Sequence, residues 1–145
     1  MNENIELVEC IYKNAKMGCE TITCLLNTIK TKDNKIKQVI EKELKMYEEY
    51  VKKSQSLLKK YKAFPKEEPF MAKMGATMGI KCEMMKDNSD ARIADMLTKG
   101  ITMGVVDMTK KIDNYKDIVE KEALRLAKDF LKQQNKEIEA LKPYL

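Results

Sequence analysis

The chain has 145 residues, 43% of them hydrophobic and 35% charged, with 28 Lys+Arg against 23 Asp+Glu. One domain is the natural size, and five Gly with three Pro are too few for the many tight turns of an all-β sandwich. The complete lack of His removes the usual general base and the commonest metal ligand, and no apolar run approaches the ~18 residues of a membrane span.

Hydrophobic period sets the elements. Ile5, Val8, Tyr12, Ala15, Cys19, Ile22, Leu26 and Ile29 recur three and four apart, which predicts a first helix over residues 4–30. A second sector of that helix, with Leu7, Cys10, Ile11, Met17, Thr21 and Leu25, carries no charge. It is wider than the apolar stripe of about 100° that a bundle helix buries, so a crossover helix or a second copy of the chain is expected to cover it. Thr31-Lys32-Asp33-Asn34 breaks the pattern and offers capping side chains. A second helix follows over 34–61, with Ile36, Ile40, Leu44, Tyr47, Val51 and Leu58 inward, and stops ahead of Phe64-Pro65.

A short crossover helix is expected over 70–86, ended by Asp87-Asn88-Ser89. Ser89 or Asp90 then caps a third helix over 90–112, apolar on most of its circumference. After the polar turn at 113–117, Leu124, Ala127, Leu131, Gln134, Ile138 and Leu141 predict a fourth helix over 118–142, closed by Pro143. Short turns make the first and second helices one antiparallel hairpin, and the third and fourth another. The two hairpins are joined by a long crossover, so the expected class is all-α, a single four-helix bundle.

In this helix order, and in IADMLTKGITMGVVDMTKK at residues 93–111, the chain resembles the ferritin-like superfamily, in particular a branch of small bacterial proteins. The resemblance implies a site where two helices each give a Glu and two others each give Glu-x-x-His. These positions do not match it: Glu43 is followed three residues later by Met46, Glu120 by Ala123 and Glu122 by Arg125. The expectation is therefore a bundle with no metal and no cofactor; a dimetal centre would have to be built from carboxylates alone, near Glu43.

Glu43 lies about 40° from Tyr47 on the inner face of the second helix. A carboxylate there must find partners or take up a proton, and a polar core residue fixing helix register is favoured over a catalytic acid. GATMGI at 75–80 and GITMGV at 100–105 form a short repeat. Each Gly-x-x-x-Gly places two small residues on one helix face, so Gly75, Gly79, Gly100 and Gly104 are expected close-contact points, within the chain or across a dimer. Met71, Met74, Met78, Cys82 and Met85 form one stripe of soft sulfur that would suit Cu(I), although Met is also an adaptable core filler and the chain has 11 of them.

Residues 32–62 hold ten Lys and five acids, the whole net charge of +5. Cations at a helix C-terminus complement its dipole, and only Arg92 and Arg125 are Arg, so nucleic acid is not the expected partner. Cys10, Cys19, Cys24 and Cys82 fit no zinc spacing. With a start, MNENIELVEC, that lacks a secretory layout, they read as free, buried thiols of a cytoplasmic protein. The functional expectation is a non-catalytic helical module acting as a homodimer or through a protein partner, not at a membrane. Soft-metal or thiol handling along the Met/Cys stripe, and a carboxylate-only redox centre, are the alternatives.

Overall fold

The computed structural model describes residues 2–63, 82 and 85–145. Four helices account for nearly all of them: α1 (Asn2–Thr28), α2 (Lys37–Lys60), α3 (Asp90–Tyr115) and α4 (Lys121–Leu141), with a 3-10 turn at Lys142–Tyr144. Among the described residues there is no strand. The short helix expected over 70–86 lies almost wholly outside the described residues.

Hydrogen bonds between the helix ends fix the topology. Asn34, in the α1–α2 turn, donates to Asn88 O at 3.0 Å and to Asp90 Oδ1 at 2.9 Å, so α2 and α3 begin at the same pole. At the other pole Asn4 Oδ1 accepts from Glu120 N at 2.7 Å, Lys60 pairs with Glu122 at 2.7 Å, and Tyr61 donates to Glu120 at 3.1 Å. Thus α1 and α4 run one way, and α2 and α3 the other. Because α2 ends at the pole opposite the start of α3, the connection between them must cross the length of the bundle, about 36 Å for the 24 residues of α2 at ~1.5 Å each. The helices contact in the cyclic order α1, α2, α4, α3; α2 and α3 occupy opposite corners without touching, whereas α1 and α4 meet across the short diagonal. α1 therefore touches all three others.

Local chemistry explains where the helices stop. Ser89 takes an extended backbone conformation and its hydroxyl accepts from Arg92 N at 3.3 Å, the expected N-cap of α3. Asn34 does not cap α2; Ile36 stands at that N-cap without a side-chain bond, and Asn34 serves as the tie to α3 instead. α2 ends in a Schellman turn, in which Lys62 N bonds Lys59 O and Ala63 N bonds Leu58 O. Lys62 takes the left-handed position, φ 58°, that glycine usually fills.

The core is continuous along the bundle. Leu7, Val8, Ile11, Ala15, Ile22 and Leu25 of α1 are fully buried, as are Ile40 and Leu58 of α2, Ile93 and Met108 of α3, and Ala127 and Phe130 of α4. Two expectations are revised. The uncharged second sector of α1 is covered in part by α3: Leu7, Cys10, Ile11 and Leu25 are buried, with Cys10 Sγ 3.4 Å from Met108 Sδ on α3, while Met17 and Thr21 are half-buried. The inner face of α4 is rotated from the Leu124–Leu131–Ile138 stripe: those three are half-buried, and Ala123 and Phe130 turn fully inward. The edge of Phe130 meets Tyr47 at 6.2 Å between centroids, and its ring also packs on Tyr50 at 5.0 Å.

The cysteines also differ from expectation. Cys24 of α1 and Cys82 form a disulfide, with Cα atoms 6.2 Å apart, that joins the end of the crossover to α1. Cys10 and Cys19 are free.

Candidate functional site

Polar side chains from α1, α2 and α4 enter the middle of the bundle as a layer, and α3 receives two of them against Gly104. On α2, Glu43 is fully buried one turn before Tyr47. On α4, Gln134 is 2% exposed and Glu137 follows it by three residues. Because α2 and α4 are antiparallel, Tyr50 and Tyr47 meet Phe130 while Glu43 meets Glu137, one step further toward the start of α2.

Two ionised carboxylates offer each other no donor, and neither Glu43 oxygen has a hydrogen-bond partner on that basis. A proton on Glu43 supplies one, donated to Glu137. Burial first, then that hydrogen bond and the neighbouring charge, push Glu43 far above the usual carboxylate range. Burial raises Glu137 as well, while the hydrogen bond from Glu43 opposes the rise. The two groups hold one proton as a pair. The Tyr47 hydroxyl is held protonated by its own burial and then by the negative charge nearby.

Glycines let this layer form. A Cβ on Gly18 would lie 2.6 Å from the Tyr47 ring, so the ring lies flat against the α1 backbone only because position 18 has no side chain. A Cβ on Gly104 would fall 2.8 Å from Gln134 Nε2 and 2.9 Å from Asn14 Oδ1, so two amide side chains converge on bare α3 backbone there. Asn14 is held by its own helix, its Nδ2 donating to Cys10 O at 2.9 Å. Gly100 is different: a Cβ there would meet nothing within 4 Å, so it makes no close contact with the described residues. Gly75 and Gly79 lie outside the described residues.

Between α1 and α3 this layer opens to solvent as a cleft of about 100 Å³. Met17, Thr21, Met96 and Gly100 line it together with Gly18, Tyr47, Asn14 and Gln134. The buried Gln134 Oε1 has no hydrogen-bond partner among the described residues.

Both free cysteines are held in the thiol form. Cys10 donates to Asp107 Oδ2 at 3.1 Å, and burial followed by that carboxylate pushes it up to about 12. Cys19 is pushed up to about 11 by burial and then by Glu48.

The sequence-derived candidates separate as follows. Glu43 lies in the core as a buried carboxylate. Met71, Met74 and Met78 lie outside the described residues; Cys82 is buried in its disulfide and Met85 packs on the edge of the core. With Cys82 oxidised, the stripe lacks the thiolate that made it attractive for Cu(I). Among the described residues no three His, Cys, Asp or Glu side chains gather to hold a metal ion. Glu137, Gly18 and Asn14 were not singled out by the sequence pattern. Glu137 had one signal, its place seven residues from Phe130 and three from Gln134 on the face that turns inward. Among the described residues no helix is long and apolar enough to cross a membrane.

Comparison of the chain with protein-family models, with curated proteins and with solved structures finds no match.

Proposed function

We propose that this chain is a non-catalytic helical-bundle protein of ferritin-like type that works by self-association, α3 being the face that meets a second copy. The observation that carries the reading is the outer surface of α3. Met103 is 72% exposed and Val106 48% exposed, three residues apart on one side of the helix. Exposed apolar side chains on one helix face form a strip suited to another helix, and burial of such surface drives association at roughly 25 cal/mol per Å². The ferritin-like part of the proposal is supported by the helix order and the long return between α2 and α3. The cytoplasmic placement expected from unpaired thiols loses that support with Cys24 and Cys82 joined.

Light scattering of the purified chain tests the proposal. The expected result is a dimer for the wild type and a monomer for Met103→Glu with Val106→Glu, at unchanged helical content. A wild type that stays monomeric at every concentration removes the reading.

A further inference from the structure

We infer that the α1–α3 cleft is a binding site for a small uncharged molecule that carries one N–H or O–H donor on an apolar frame. Three observations, separate from the exposed strip on α3, lead to it. The cleft is concave and holds about 100 Å³, comparable in scale to cavities that accept a single ring. Its walls are soft and apolar at Met17 and Met96, and thioether side chains adapt to the shape of what they meet. Gln134, a side chain only 2% exposed whose Oε1 acceptor has no partner among the described residues, lines its wall.

Such an acceptor in a folded core calls for a donor, because taking it from water without replacing the lost bond is unfavourable. A ligand donor supplies the missing bond. Among the described residues no ionisable acid or base lines the cleft; the polar groups there are amides, the Thr21 hydroxyl and Tyr47, whose phenol stays protonated. A full charge brought there would find no counter-charge in the lining, which selects an uncharged ligand. The glycines define the entrance and the depth. Gly18 admits the Tyr47 ring as the floor, Gly104 admits the two amides, and Gly100 leaves the mouth unobstructed.

Phenol and benzene are probes of the same frame that differ by one donor. Amide-resolved NMR titration of the full, disulfide-intact chain is expected to give saturable shifts centred on Gly18, Gly100, Gly104 and the Gln134 side-chain amide. Phenol is expected to bind about tenfold more tightly than benzene. Gln134→Leu should abolish that difference while leaving the benzene affinity in place. Gly100→Leu, at a position where a Cβ meets nothing within 4 Å, should weaken both probes while the fold persists. Equal affinity of phenol and benzene for the wild type, no saturable shift at these residues, or phenol binding unaffected by Gly100→Leu would each overturn the inference.

Discussion

Replacing Glu43 by Gln should change how stability responds to pH more than it changes the fold. In the native bundle Glu43 keeps its proton, because burial and the adjoining Glu137 both penalise its ionised form. In the unfolded chain it titrates near the ordinary value of about 4.3. Between those limits the native state binds one proton that the unfolded state has released. Stability contributed by this group is therefore complete below the unfolded value and drains away as pH rises toward the raised native one. One proton corresponds to a slope of about −1.4 kcal/mol per pH unit, or a loss of about 3 kcal/mol between about pH 5 and pH 7. The amide of Gln has nearly the same shape, still donates to Glu137 and does not titrate. Urea unfolding followed by helical circular dichroism, at several pH values, should give a falling midpoint for the wild type and a much flatter one for Glu43→Gln. Glu137, itself raised by burial, leaves a smaller residual slope. The variant should also be the more stable protein at neutral pH. Parallel profiles for the two proteins would show that Glu43 ionises freely in the native state, and the account of the polar layer would fall.

The glycines should respond in opposite directions. Gly18→Ala drives a methyl into the Tyr47 ring and is expected to cost about 1–3 kcal/mol, whereas Gly100→Ala meets nothing and gains up to about 1 kcal/mol of helix propensity, both read from urea midpoints. Reduction of Cys24–Cys82, or Cys82→Ser, should lower stability by about 4 kcal/mol on the loop-entropy model for a 58-residue separation, seen as a lower melting temperature with reductant present. A melting temperature indifferent to reductant would mean that the crossover is not pinned to α1.

The order and approximate bounds of the helices were legible because each has a hydrophobic repeat near 3.6 and polar punctuation between them. Ser89 was legible as a cap because a single Ser precedes the apolar run. Other features were hidden for specific reasons. On α4, Ala123, Leu124, Ala127, Phe130 and Leu131 form two adjoining apolar stripes, and periodicity alone does not say which one is central; the choice of Leu131 over Phe130 also concealed Glu137. Gly18 stands alone on α1, outside any small-residue repeat, so its role is visible only once Tyr47 is in place. Cysteine spacing carries no pairing information, and Cys24 and Cys82 are brought together by a crossover whose path depends on the finished bundle. Glu43 was legible as an inward acid, but its partner had to come from another helix.

The place of α1 has a consequence for biosynthesis. It touches all three other helices, yet it leaves the ribosome well before α4 does. The α1–α2 pair can zip up early, since their turn is local. The flanks of α1 that later receive Met108 and the inner side of α4 must meanwhile stay wet, or be shielded by a chaperone, until the last long helix clears the exit tunnel.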